Sequence, residues 1–279
     1  MENPLVSVVI RTCGRPQVLA GALDSVRNQS YKNIETVIIE DGENISGEFI
    51  FANYPDLNIV FQYTGKKCGR CTAGNAGMSA ASGKYINFLD DDDFLMPNHI
   101  ETLVSCLEKT GSRAAYAQAE EHQLHSSFFN PEKRTVKRKL VRYRQPYNKL
   151  LLCYLNYIPI QSIMFSHILF DELGGFDEKL EVLEDWDLWV RYSAHSDFVY
   201  VPVVTSVYHT PYKSRQKHQR ESSMQKASAD VIKKHQQYHM NLTASQINRD
   251  MDYILNVFNK KGILFYMQKI RNFLLYRDI

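Results

Sequence analysis

Short apolar runs alternate with helical patterns through the first half of the chain. Val6 to Ile10 is a continuous β-branched stretch of the kind a strand shows when both its faces are covered. Pro16 stands where the first turn of a helix tolerates it, and Val18, Leu19, Ala22, Leu23 and Val26 then recur at helical spacing. A second apolar run, Ile34 to Ile39, stops at Glu40-Asp41-Gly42, and a third, Asn58 to Tyr63, stops in the polar segment Thr64 to Arg70. A small-residue helix follows over Thr72 to Ser82. A fourth run, Tyr85 to Leu89, ends against Asp90-Asp91-Asp92-Asp93, and Pro97 opens another helix. This alternation predicts an α/β chain, a Rossmann-like and mostly parallel sheet flanked by helices. In open sheets of that class ligands bind beyond the carboxyl ends of the strands. Three such ends are polar here: Arg11-Thr12, Asp41 and the four aspartates.

The pattern loosens after about residue 120. Pro131 to Lys149 holds Lys133, Arg134, Lys137, Arg138, Lys139, Arg142, Arg144 and Lys149 against the single acid Glu132, and reads as an exposed loop or hairpin. Leu151 to Phe170 has about the length of a membrane span. It carries Asn156, Pro159, Gln161, Ser162, Ser166 and His167, which a bilayer would have to absorb, so it reads as buried strand and helix. A turn at Gly174-Gly175-Phe176-Asp177, a helix from near Glu184 and a strand over Phe198 to Tyr208 come next. Three helical stretches are expected beyond Ser222, the last over Ile263 to Tyr276 with Ile263, Met267, Ile270 and Leu274 on one side. The implied division is an α/β domain over 1–220, split into two halves at 118/119, and a helical extension over 221–279.

Composition adds constraints rather than a function. Hydrophobic residues make up 44% of the 279 and charged residues 23%, which excludes a disordered or collagen-like chain. Five cysteines are few and odd in number, which points to a reducing compartment, and Cys68 and Cys71 read as free thiols without redox context. Glu2 and the short run ending at Arg11 fit neither a signal peptide nor an anchor, so a cytoplasmic protein is expected. Charge is uneven: from Pro211 onward there are 13 Lys/Arg against 5 Asp/Glu, net +8, which leaves −6 for the first 210 residues of a chain whose total is +2. The tail has no nucleic-acid-binding signature. Its basic amphipathic helices fit peripheral contact with the inner membrane face, or packing and homodimer formation, equally well.

Asp90 to Asp93 is the most informative stretch. Four adjacent carboxylates repel one another, and acids at a helix N-terminus account for only one or two of them. Placed after a buried strand, they suit a divalent cation, Mg²⁺ or Mn²⁺, which binds through one or two carboxylates plus substrate phosphates.

Taken in order, Val6 to Thr12, Val37 to Gly42, Gly69 to Gly77, Gly83 to Asp93, Leu173 to Glu178 and Glu184 to Trp189 resemble the successive blocks of family 2 glycosyltransferases, which have the GT-A fold. The likeness covers about residues 4 to 210. It implies inverting transfer of a sugar from a nucleotide-diphosphate donor to an acceptor hydroxyl, in bacterial surface polysaccharide or glycan synthesis, with a glycan or lipid-linked saccharide as acceptor. By match to the family's Asp-X-Asp motif, Asp90 and Asp92 are the pair and Asp92 the direct metal ligand, with Asp91 near the donor ribose and Asp93 behind them. Asp185 matches the general base, with Glu184 orienting it or binding acceptor. Thr12, Asp41 and Arg70 match donor-binding positions, and Asp41 as partner of a pyrimidine ring points to a UDP-sugar. The family's usual Arg-Asn pair reads Gly74-Asn75 here, so Arg70 or Lys66 takes that contact. His209 falls where relatives place a residue on the metal or diphosphate, and Lys213, Arg215 and Lys217 just beyond it could close as a lid. Trp186 and Trp189 offer either a sugar platform or a core face, core being the expectation for Trp189. Two readings compete: a phosphatase of the haloacid dehalogenase type, which also sets aspartates after a strand, and a non-catalytic assembly partner on the same fold.

Overall fold

The computed structural model describes residues 3–126, 134–212 and 215–259. In chain order the elements are β1 (Val6–Thr12), α1 (Pro16–Arg27), β2 (Ile34–Glu40), α2 (Gly47–Asn53), β3 (Ile59–Tyr63), α3 (Arg70–Ala80), β4 (Tyr85–Asp90), β5 (Phe94–Leu95), α4 (His99–Thr110), β6 (Ala114–Ser126), β7 (Arg134–Val141), α5 (Lys149–Leu152), a 3-10 turn (Ile160–Ser162), β8 (Ile163–Ser166), α6 (His167–Leu173), α7 (Glu184–His195), β9 (Phe198–Pro211), α8 (Arg215–His235) and α9 (Ala244–Asn259). The strands form one sheet in the order β3-β2-β1-β4-β8-β6-β9-β5, with β7 on the free side of β6.

β1 to β4 are parallel, and their register sets Thr12 beside Glu40, Glu40 beside Tyr63 and Arg11 beside Asp90. The three polar strand ends therefore share one edge. Alternate residues of the β-branched runs enter opposite layers. Val9, Val37, Ile39, Ile86 and Phe88 pack under α3, α7 and α8 on one face. Val8, Ile10, Ile38 and Leu89 pack under α1, α2 and α4 on the other. α3 lies so close to the sheet that a methyl group at Gly77 would run into Val9, which accounts for its small residues.

Three features depart from the sequence pattern. β6 has 13 residues, its apolar ones mostly alanines beside Tyr116 and Leu124, yet it is a central strand because it pairs on both sides with β8, β7 and β9. α2 had no readable signal. The basic segment is the expected hairpin strand, but Lys149 is buried, its ammonium 2.8 Å from Asp197. Leu151 to Phe170 folds as expected into a helix end, β8 and the start of α6, and among the described residues no helix is long and apolar enough to cross a membrane. The helix over Ile263 to Tyr276 and Lys133 and Lys213 lie outside the described residues, as do the side chains of Arg215 and Lys217.

Candidate active site

The edge is organised around Arg11. This guanidinium is 7% exposed and lies 5.6 Å from the centres of both the Phe88 and Phe176 rings. It donates to Asp90 Oδ1 through Nη2 (2.6 Å) and Nε (3.2 Å), and to Glu184 Oε1 through Nη1 (3.0 Å). Burial opposes its charge, but Asp90 and Glu184 outweigh that and hold it protonated. Burial likewise pushes Asp90 upward, and Arg11 more than reverses it. A single side chain thus joins the end of β4 to the start of α7.

The other three aspartates have separate environments. Asp91, 1% exposed, accepts from the Thr12 hydroxyl (2.7 Å) and from Arg15 Nε (3.1 Å) and Nη2. Burial pushes it up to about 6. Asp93 accepts from the His209 backbone N–H at 2.8 Å, and burial pushes it up to about 7. Asp92 is half-buried, and its carboxylate receives no protein hydrogen bond or ion pair among the described residues. Its backbone carbonyl accepts from His209 Nδ1. A carbonyl cannot donate, so the hydrogen sits on Nδ1 and Nε2 carries the lone pair. Burial lowers the affinity of His209 for a proton, but the bonds to Asp93 and the Asp92 carbonyl raise it further, and the net shift is upward.

No group of three or more His, Cys, Asp and Glu side chains among the described residues forms a metal cage. The expected nest of four aspartates resolves into three engaged carboxylates and one without a partner among the described residues, because cations and donors from β1, the loop after it and β9 reach the other three. One carboxylate with an adjacent imidazole still fits Mg²⁺ or Mn²⁺, which take much of their coordination from substrate phosphates and water.

Asp41 accepts from the backbone N–H groups of Cys68 (2.6 Å) and Gly69 (3.0 Å), so it pins the loop leading into α3. Arg70, the first residue of α3, has a side chain 55% exposed and 3.6 Å from Glu184. The Lys66 side chain is exposed. Asn75 is fully occupied elsewhere: its amide exchanges hydrogen bonds with the backbone of Phe176 (2.7 and 3.1 Å) and reaches Glu178. Cys68 and Cys71 are free thiols, the first exposed and the second buried.

α7 opens from Leu183, whose φ of 61° is positive, and among the described residues no other non-glycine residue has a positive φ. A leucine held there costs about 1–2 kcal/mol, sustained by its burial in the core. Glu184, 3% exposed, is held by Arg11 and Arg70. Asp185 is part-exposed and, among the described residues, accepts only from neutral donors, the Asn156 amide (3.2 Å) and the Trp186 backbone N–H (2.8 Å). Burial, then the charge of Glu184, pushes it up to about 7. Asp187 is completely buried and receives Arg191, Lys234 and Tyr238. Trp186 and Trp189 are both core residues whose indole N–H groups donate to the Leu152 and Ile158 carbonyls, so neither is a sugar platform.

The fold gathers Thr12, Arg70, Asp90, Asp91 and Glu184 into one connected set, with Asp185 beside Glu184, Asp92 and His209 beside Asp93, and Asp41 at the root of the Arg70 loop. Reading by residue type missed Arg11, Arg15 and Asn156. A charge ending a β-branched run was a visible signal for Arg11. Nothing local marked Asn156.

A mixed sheet with acids at its parallel strand ends and a second set of acids on a facing helix defines the GT-A class of fold. The chain belongs to the family described as Glycosyl transferase family 2, which matches residues 7–172. An uncharacterized glycosyltransferase of Rickettsia typhi is 32% identical over 197 residues, 68% of this chain and 59% of that protein, so the chain spans under two thirds of that relative's length. Two solved structures share the fold. S. aureus TarS 1–349 in complex with UDP-GlcNAc has a TM-score of 0.62 at 14% identity, over 91% of this chain and 73% of that one. The mannosyltransferase PcManGT of Pyrobaculum calidifontis, in complex with GDP-Man and Mn²⁺, has a TM-score of 0.64 at 14% identity, over 90% and 69%. Family and fold leave no place for the dehalogenase-type phosphatase.

Proposed function

We propose that this chain is a metal-dependent inverting glycosyltransferase that moves a sugar from a nucleotide-diphosphate donor, a UDP-sugar, to an acceptor hydroxyl. The Arg11 bridge carries the reading. It sets the acid end of β4, where the donor diphosphate belongs, against the start of α7, where Asp185 stands with its proton affinity raised toward neutrality.

Asp92 and His209 would hold Mn²⁺ or Mg²⁺, which when bound offsets the negative charge developing on the departing diphosphate. Asp91 and Thr12 line the ribose side, Arg70 reaches phosphate from the lip of α3, and Asp41 recognises the pyrimidine ring. Asp185 takes the proton of the acceptor hydroxyl as its oxygen attacks the anomeric carbon and the bond to the diphosphate oxygen breaks, which inverts that carbon. Asn156 keeps Asp185 aimed without supplying a charge that would lower its basicity. A TarS structure holding UDP-GlcNAc supports the uridine donor, and the PcManGT structure with GDP-Man and Mn²⁺ supports the cation.

The acceptor side carries cations. Lys137, Arg138, Lys139 and Arg144 are exposed on and just after β7, and pairing in register runs Lys139 beside His122 and His122 beside His209. That row places a positive strand about 10 Å from His209, two strand spacings away. It fits an acceptor saccharide carried on a phosphorylated lipid at the inner membrane face, in surface-glycan synthesis. The test is release of UDP from a panel of UDP-sugars with Mn²⁺, against release of phosphate from a monoester. Turnover of a UDP-sugar supports the reading; release of phosphate alone, or turnover of a GDP-sugar only, contradicts it.

A further inference from the structure

α7 is fixed at its start from two directions. Arg11 holds Glu184 from the sheet, and α8 holds the opposite side. The fully buried Asp187 carboxylate receives Lys234 Nζ (3.0 Å) and the Tyr238 hydroxyl (2.8 Å) from α8 and the residues just after it, besides Arg191 Nε (3.1 Å) from its own helix. Lys234 also reaches Asp177 at 2.6 Å, in the loop between α6 and α7. Next to it, the His235 ring meets the Trp186 indole edge-on with centres 5.1 Å apart, and Val231 is buried in the same core. Asp185 therefore lies between two pinned residues, Glu184 and Trp186.

A buried ion pair is a poor way to gain stability, since well-packed apolar side chains serve as well; its best-attested use is to fix one arrangement among several. Two acids sharing one lysine fix the α7 start relative to the loop that precedes it. The residues supplying that lysine lie beyond the family match, which ends at residue 172. We infer that α8 is a clamp on the base-bearing helix and that Lys234 is a positioning residue for transfer, acting through Asp187 on Asp185. This rests on Asp185 being the general base.

The experiment uses the full chain and three variants, Lys234→Met, Lys234→Arg and Tyr238→Phe, with hydrogen–deuterium exchange and UDP-sugar turnover measured together. Lys234→Met should speed exchange at residues 184–188 and leave β1 and β4 at their parent rates. Its kcat should fall by about tenfold to a hundredfold with KM for the donor and affinity for UDP with Mn²⁺ unchanged, because a misplaced base costs rate and not donor binding. Lys234→Arg should restore both readouts. Tyr238→Phe, which keeps both ion pairs, should show the same changes at smaller amplitude and serves if Lys234→Met does not fold. Parent-like exchange and kcat in Lys234→Met, or exchange that rises equally in β1 and β4, would overturn the clamp. Asp185→Asn measured alongside separates the two claims: if it turns over like the parent, the base assignment fails, while the exchange data still judge the clamp.

Discussion

The two acidic stretches, Asp90 to Asp93 and Glu184 to Asp187, treat their carboxylates alike in one respect and differently in another. In each, neighbouring acids are taken up by partners from distant elements and one is left. Arg11, Arg15 and the His209 backbone take Asp90, Asp91 and Asp93, leaving Asp92. Arg11 takes Glu184 and Lys234 takes Asp187, leaving Asp185. The remaining acids differ in their surroundings. Among the described residues Asp92 has no protein donor, and it stands next to the His209 imidazole, a setting for a cation. Asp185 has neutral donors and a buried negative neighbour, a setting for a proton. On the proposed roles, what separates the metal-binding acid from the basic one is the partner each lacks.

The largest expected effect is on Asp185. Asp185→Asn keeps the shape but cannot accept the proton, so transfer should fall by about a thousandfold while UDP binding with Mn²⁺ holds, measured by turnover and calorimetry. Arg11→Met comes next. It leaves the buried Glu184 and the part-exposed Asp90 without their shared cation, and should lower unfolding stability in urea by about 3 kcal/mol, the low end for a broken buried pair. If Arg11→Met unfolds like the parent, the bridge between the two halves is not structural.

Smaller effects concern pH. With Asp185 as the proposed base, transfer needs it ionised, so kcat should rise with pH through about 7, where burial and then Glu184 place its titration. Glu184→Gln removes the neighbouring negative charge and should move that limb to lower pH. An unmoved limb would show that Glu184 does not tune the base. Stability runs the other way. Because the folded carboxyl holds its proton more tightly than the unfolded one, the folded state binds more protons between the ordinary carboxylate range and about 7, and stability falls as pH rises through that window. Asp185→Asn should therefore raise Tm by a few degrees above neutral pH and change it little in acid, read by thermal melts.

Much of this was legible before any coordinates. The apolar runs placed β1, β2 and β4, and the polar residues at their ends placed the edge that Thr12, Asp41 and Asp90 share. What could not be read was how the acids divide. Arg11 and Glu184 are 173 positions apart, and Asp187 and Lys234 are 47 apart. Such pairs are products of the completed fold, and no local pattern encodes them. β6 stayed hidden for a related reason: its place depends on partners on both edges, while its own mix of alanines and polar residues carries little periodic signal. The aromatic pair on α7 was readable by type but not by direction, since core and platform call for the same residues.

The most direct test of the account is a calorimetric titration of UDP into the parent chain and into Asp92→Asn, each with and without Mn²⁺. The account predicts that Mn²⁺ strengthens UDP binding to the parent, that the gain disappears in Asp92→Asn, and that GDP competes weakly. Equal Mn²⁺ assistance in both proteins would contradict it.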